Sequence, residues 1–166
     1  MKKRPMLRDH LLNLYDFNCW GRDLMLTKSE ALTPEQFDQD TRFPIHTIKE
    51  TMVHSMSAER AYRNRCMGDA YKAAEKDEFA DVKAIQEFWT EEEKQMRKYL
   101  SLVEDEELSS HVKYKVADGR EFERVRLDLL FQLLFHSMQH RAEIAQMLTE
   151  FGQSPGNIDY TVYKYG

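Results

Sequence analysis

Two histidines, His136 and His140, stand four residues apart in the apolar run from Leu127 to Leu148. On an α-helix this spacing places both imidazoles on one face, one turn apart, where they can contact a single ion. The same face carries four further residues: Leu129, Leu133, Glu143 and Met147. A buried polar group without a partner costs about 1–3 kcal/mol, so imidazoles among leucines need partners. A divalent metal ion would satisfy both.

A first-row metal ion usually takes three or four protein ligands, so at least one more is needed. We favour His54, because its helix face carries small side chains that leave room for a cavity: Thr47, Thr51, Ala58 and Ala61. The other histidines are placed less favourably, on a helix flank, ahead of a helix start and in a polar turn: His10, His46 and His111. A site of three imidazoles keeps a position open for water or substrate, which is the catalytic arrangement.

Glu143 lies one turn beyond His140 and has three possible roles. It could orient a ligand imidazole, act as a base on bound water, or be a fourth ligand. Two alternatives to the three-histidine site stay open. The histidines could be hydrogen-bonded in the core without metal. A di-iron carboxylate bundle expects Glu-x-x-His on two helices, but Glu50 and Glu107 lie four residues before the nearest histidine, which disfavours it.

Apolar residues at helical spacing predict four long helices, over residues 5–30, 47–68, 81–103 and 125–151. The second begins at a capping box, Thr47 to Glu50, and ends near Gly68. Between the third and fourth, alternation around Asp118-Gly119 predicts a small β-hairpin or extended turn. After Gly152 we expect a loop, followed by a segment from Ile158 to Tyr163 that packs back or pairs with a partner. The fold class is all-α, a four-helix bundle in one domain over residues 1–166.

Composition narrows the function. The 166 residues include 24 basic and 29 acidic side chains, a net charge of −5 that disfavours a nucleic-acid surface. No segment approaches the about 18 uninterrupted apolar residues of a membrane span. Cys19 and Cys66 are far apart and form no CxxC motif, so neither a disulfide framework nor a zinc ribbon is indicated. We therefore expect a soluble cytoplasmic protein that binds neither nucleic acid nor membrane.

Four sequence segments are informative when taken together: Tyr15-Asp-Phe-Asn-Cys-Trp20, the stretch from Thr47 to His54 with Ala58-Glu59-Arg60, the stretch from His136 to Ile144, and the ending from Phe151 to Tyr160. They resemble the DinB/YfiT-like family of metal-binding four-helix proteins over nearly the whole chain. The family's ligand triad, an HxxxH pair with an upstream helical histidine, maps onto His54, His136 and His140. The chain departs from the family at Arg141-Ala142-Glu143, where relatives often carry a glycine and a glutamine.

The resemblance implies an up-down-down-up four-helix bundle, frequently a homodimer, that binds a divalent ion such as nickel or zinc. It also implies two kinds of enzyme, a thiol S-transferase using a low-molecular-weight thiol and a metal-dependent hydrolase. On either reading the three histidines hold the metal, the substrate is a small molecule, and Glu143 is a candidate catalytic proton acceptor. The competing interpretation is a non-catalytic, stress-related binding module whose metal is structural or sensory.

Overall fold

A computed structural model describes residues 6–166, and most of them are helical. In this part of the chain there are seven α-helices: α1 (Leu7–Ser29), α2 (Pro34–Phe37), α3 (Ile48–Met67), α4 (Val82–Leu102), α5 (Asp105–Leu108), α6 (Arg126–Glu150) and α7 (Tyr160–Tyr165). Two strands, β1 (His111–Lys115) and β2 (Glu121–Val125), form an antiparallel hairpin between α5 and α6. None of the described helices is both long and apolar enough to cross a bilayer.

The four long helices pack as a ring in the order α1, α4, α3, α6. The backbone N–H of Leu7, at the start of α1, donates to Asp105 just beyond the end of α4, so these two helices run in opposite directions. Arg126, at the start of α6, donates through Nε to the Cys66 carbonyl near the end of α3, 2.9 Å away. These two helices are therefore antiparallel as well.

Helices α3 and α4 run in the same direction. Their contacts advance together along both helices: Glu59 with Trp89, and Arg63 with Glu92. With α1 and α6 both opposed to this pair, the connectivity is up-down-down-up. The structure thus confirms the fold class and the small hairpin before the last helix.

Local sequence signals set the helix bounds. Thr47 Oγ1 accepts from the Glu50 backbone N–H at 3.0 Å and starts α3, and an Asp81 carboxylate oxygen caps α4 through the Ala84 N–H at 2.9 Å. Among the described residues, the second contact of the predicted capping box, from the Thr47 backbone N–H to the Glu50 side chain, does not form. Gly68, with φ of 76°, ends α3 in the left-handed conformation that glycine adopts without strain. The first residue of the predicted 5–30 helix lies outside the described residues.

The hairpin and the tail complete the chain. Lys115 pairs with Glu121, so five residues connect the strands instead of the two-residue turn that Asp118-Gly119 indicates, and φ is positive at Gly119 (86°) but not at Asp118. The tail segment packs back on α1 as the helix α7, with the Tyr160 ring 5.3 Å from that of Phe17. The sequence did not predict α5, α7 or the 3-10 turn at Lys76–Glu78.

Two apolar clusters fill the bundle, and a polar layer lies beside them. In this layer Glu59 accepts hydrogen bonds from the Tyr15 hydroxyl and from Trp89 Nε1, the latter at 3.0 Å. Arg141, 6% exposed, donates to the side chain of Asn18 on α1. These bonds satisfy polar groups that burial would otherwise penalise, and the arginine fixes the rotation of α6 next to His140.

Candidate metal centre

Three imidazoles meet where α3 packs against α6. His54 comes from the middle of α3, and His136 and His140 come from successive turns of α6. The Nε2 atom of His136 lies 3.1 Å from that of His54 and 3.2 Å from that of His140. The ligand nitrogens of all three residues fall within 4.8 Å of one another. The structure therefore brings together the three histidines that the sequence nominated.

The three histidine side chains differ in how far they are exposed to solvent. His140 is buried at 5% exposure, His136 is half-buried and His54 is exposed. His140 lies beside Ser137 and Ile144, whose side chains are also buried, as expected for the core-facing stripe of α6. A small molecule can therefore reach the cluster from the His54 side.

Glu143 is bonded to the back of the deepest imidazole. Its Oε2 atom lies 2.6 Å from His140 Nδ1, and its side chain is 17% exposed. A carboxylate at Nδ1 holds the proton there and leaves the Nε2 lone pair directed at the other two rings. Of the three roles predicted for Glu143, the observed contact is that of an orienting residue. Its carboxylate is not among the converging ligand atoms, and its role as a base remains a prediction.

The environment favours neutral imidazoles, which is the form that binds metals. Burial, followed by the proximity of His140 and His54, lowers the pKa of His136 to about 4. Burial and the neighbouring His140 also lower the pKa of His54 below its usual value. At neutral pH, both rings are therefore uncharged, and each has one nitrogen with a free lone pair.

The donor set fits one transition-metal ion. Two nitrogens bound to a tetrahedral zinc ion at about 2.0–2.1 Å lie about 3.3–3.4 Å apart, close to the observed 3.1 and 3.2 Å. A single proton between two facing nitrogens could link only one pair of imidazoles, whereas one cation can bind a nitrogen of all three imidazoles. Imidazole suits zinc, nickel, copper and iron, so the donors do not select among them. His54, His136 and His140 would hold the ion.

Two surface depressions meet at His54. One, of about 240 Å³, runs along α3 past Ala58 and Ala61 and includes His136. The other, of about 330 Å³, lies toward the start of α3 and includes Glu50 and Lys76. Of the four small residues that we expected to leave a cavity, Ala58 and Ala61 line the first groove, whereas Thr47 and Thr51 are buried and line neither groove.

The remaining histidines lie elsewhere. His46 is 65% exposed and 3.2 Å from an oxygen of Asp40, at the rim of the second depression. His10 is exposed on α1, and His111 begins β1 rather than lying in a turn. Within residues 6–166 these three histidines are not part of the converging cluster, which agrees with the preference for His54.

Sequence reasoning missed the far end of the first groove. Tyr62 and Arg65 continue the His54 face of α3, and extending the helical stripe by one more turn would have identified them. Tyr71 and Ala73 close the groove from the irregular segment after α3. Their positions carry no periodic signal, so spacing alone could not have placed them.

Fold and site together define a four-helix bundle with a three-histidine cluster, open to solvent at His54, between antiparallel helices. The sequence profile of the DinB family matches residues 6–166, and the chain belongs to this family. Protein DinB of Bacillus subtilis (strain 168) is 21% identical over 165 residues, covering 96% of each chain. The solved structure of YfiT from Bacillus subtilis, described as a probable metal-dependent hydrolase with an unusual four-helix bundle topology, superposes with a TM-score of 0.62. At 13% identity it covers 92% of this chain and 93% of its own.

Proposed function

We propose that this protein is a metal-dependent hydrolase of small molecules that uses nickel or zinc at the three-histidine centre. One observation carries the proposal: nitrogens of three imidazoles converge at a point that opens onto surface grooves. Three protein ligands with an open position are typical of catalytic rather than structural sites. The description of YfiT as a probable metal-dependent hydrolase supports the same class.

The three histidines and Glu143 have different roles in this proposal. When bound, a divalent ion at such a site makes a water or thiol a nucleophile near neutral pH and stabilises developing negative charge. His54, His136 and His140 would hold the ion at the point where the two grooves meet. Glu143 holds the proton of His140 on Nδ1, which keeps the deep ligand in its binding tautomer. We further propose that Glu143 accepts a proton during turnover.

A thiol S-transferase is the second candidate, because two grooves meet at His54. A hydrolase needs one substrate pocket, whereas a transferase needs room for a low-molecular-weight thiol and for its acceptor. The nucleophilic thiol would come from that substrate, because Cys19 and Cys66 are buried and burial raises the pKa of each to about 12.

Elemental analysis of protein purified without a histidine tag tests whether the three histidines bind a metal ion. We expect one equivalent in the parent and in His111→Ala, an exposed histidine outside the cluster, and about none in His136→Ala. Metal-loaded and chelated protein are then compared on an activated ester and on a thiol with monobromobimane. Hydrolysis without thiol consumption supports the first candidate, and the reverse supports the second.

The non-catalytic alternative predicts a different pattern. A structural metal stabilises the fold, so chelation would lower the melting temperature strongly and abolish the helical circular dichroism. A catalytic centre leaves a folded but inactive bundle. A tag-free parent protein that contains no divalent metal would contradict both metal proposals.

We also propose a homodimer formed through α1 and α6. Phe135 and Met138 are 61% and 52% exposed, beside an apolar depression of about 140 Å³ that Phe17 and Phe131 line. An exposed apolar patch is typical of a protein interface, and in a two-fold dimer the same patch on both subunits can be buried against its copy. Light scattering should give a dimer for the parent and for the exposed control Gln132→Glu, and a monomer for Phe135→Glu. A monomeric parent would refute this proposal.

A further inference from the structure

The groove of about 240 Å³ follows one face of α3 away from the metal centre. From His54 it passes residues four, seven, eight and eleven positions further on: Ala58, Ala61, Tyr62 and Arg65. These spacings keep all five residues on a single helical stripe. The two alanines leave space along the floor, so the groove is elongated and ends at an arginine.

Arg65 is surrounded by aromatic rings. Its guanidinium carbon lies 4.9 Å from the ring centre of Tyr62, 5.6 Å from that of Tyr71 and 5.3 Å from that of Tyr114. Rings at these distances fix the orientation of the guanidinium plane and stabilise its charge without neutralising it. The side chain is therefore held in place while it keeps its full positive charge.

In the described part of the chain, Arg65 makes no salt bridge or side-chain hydrogen bond, and its Nε is buried without a partner. Other arginines of the bundle pair with carboxylates: Arg22 with Glu93, Arg63 with Glu92, Arg97 with Asp16 and Arg126 with Glu107. Among the described residues that line this groove, Arg65 is the one permanently charged side chain. A fixed cation without a counter-charge in a groove can bind an anion through charge-assisted hydrogen bonds.

The distance from the metal centre sets the length of a ligand. Eleven residues of α-helix separate the Cα atoms of His54 and Arg65 by about 16 Å. Helical side chains lean toward the N-terminus, and the long Arg65 side chain leans back over Tyr62, so its charged end is on the order of 10 Å from the centre. Both ends of a short, extended molecule can therefore be bound at once.

We propose that Arg65 binds a carboxylate at the far end of the substrate while the reacting group lies at the three-histidine centre. This inference rests on the proposed function and deepens it, because it names the substrate class: elongated molecules with a terminal carboxylate. Arg65 is a binding residue that makes two parallel hydrogen bonds to that carboxylate. The tyrosines around it determine where the carboxylate binds.

The test uses the full chain loaded with Co²⁺ and hydroxamic acids as probes, since a hydroxamate binds an open metal position. Octanoyl hydroxamic acid and suberic acid monohydroxamate have the same chain length, and only the second carries a terminal carboxylate. Isothermal titration calorimetry should give about 10-fold tighter binding of the carboxylate probe. This factor lies at the lower end of the range expected for a hydrogen bond to a charged group. Shorter succinic and adipic analogues should show a smaller preference, because they do not reach Arg65.

Arg65→Gln should reduce the preference for the carboxylate probe to less than twofold. Lys72→Gln is the matched control: it removes one positive charge from the adjoining segment at a side chain that is 83% exposed and does not line the groove. Its preference should match that of the parent. Circular dichroism establishes that each variant is folded. Should Arg65→Gln fail to fold, the parent's preference should still fall as the salt concentration rises, and Arg65→Lys should keep part of it.

The outcomes separate this inference from the proposed function. If neither hydroxamate binds the Co²⁺-loaded protein, the open metal centre is refuted and the inference with it. If both bind equally well to the parent, the centre stands and the carboxylate site is refuted. A preference that persists in Arg65→Gln would also overturn the role of Arg65.

Discussion

Replacing Glu143 by glutamine tests how the metal centre is held in place. The carboxylate lies 2.6 Å from His140 Nδ1, with side-chain exposures of 17% and 6% for the two partners. Glutamine is nearly the same size and can still accept a hydrogen bond, but it carries no charge. The substitution therefore removes the electrostatic support for the deep ligand and leaves the packing of α6 in place.

The size of the effect follows from this geometry. Removing an outer partner of a metal-binding histidine typically weakens metal binding about 10–100-fold. A hydrogen bond to a charged group, worth about 1.5–3 kcal/mol, gives the same range. Because Glu143 is partly exposed, we expect the lower part of this range, about 10–30-fold in the dissociation constant.

Competition with a chromophoric chelator at pH 7 measures this constant for zinc and for nickel. Glu150→Gln is the control, since it makes the same change on the last turn of α6 at a side chain that is 47% exposed and pairs with Arg42. A dissociation constant for Glu143→Gln within threefold of the parent would refute the orienting role. If turnover were lost at the same time, Glu143 would be a proton acceptor instead.

Three further predictions concern the fold around the centre. Since the pKa of His136 is about 4 in the folded chain and about 6.5 when unfolded, the unfolded state binds more protons between these values. In metal-free protein the free energy of unfolding should therefore fall by about 1–2 kcal/mol as the pH drops from about 6.5 to about 4, since solvent around the half-buried ring reduces the full effect. Urea titrations at several pH values should show a weaker pH dependence of this free energy for His136→Gln. Gly21→Ala should lower the free energy of unfolding by about 1 kcal/mol, because a Cβ there would lie 2.8 Å from Cδ and Nε of the buried Arg141. This overlap costs about 2 kcal/mol and outweighs the roughly 1 kcal/mol that alanine gains over glycine inside a helix; an unchanged melting temperature would contradict this. Cys19 and Cys66 should resist Ellman's reagent in the native protein and react after denaturation, because burial raises the pKa of each thiol to about 12.

The long helices could be predicted because their apolar stripes and caps are local signals. Thr47, Asp81 and Gly68 mark helix ends through bonds to their immediate neighbours, and the structure places the ends within a residue or two of the prediction. The tail was harder to predict. Residues 158–163 are rich in tyrosine without a clear period, and the helix α7 forms there where their rings pack against α1.

The candidate site could be predicted in part. The spacing of His136 and His140 indicates a shared ion, and the small residues around His54 indicate a cavity. These residue patterns nominated the three-histidine site, and the family resemblance supported it. The second wall of the groove could not be predicted, because Tyr71 belongs to an irregular segment. Its place depends on packing over α3, which is a tertiary contact.

The outward rise in exposure across the histidine cluster has a kinetic consequence. His136 and His140 belong to one helix and form a preorganised bidentate clamp, whereas His54 is the outermost donor and belongs to a separate helix. A cation that binds here would therefore be captured in two stages, and its residence time would depend on how often α3 moves away from α6. Substitutions that loosen the packing between these helices should speed metal exchange even when every ligand is retained.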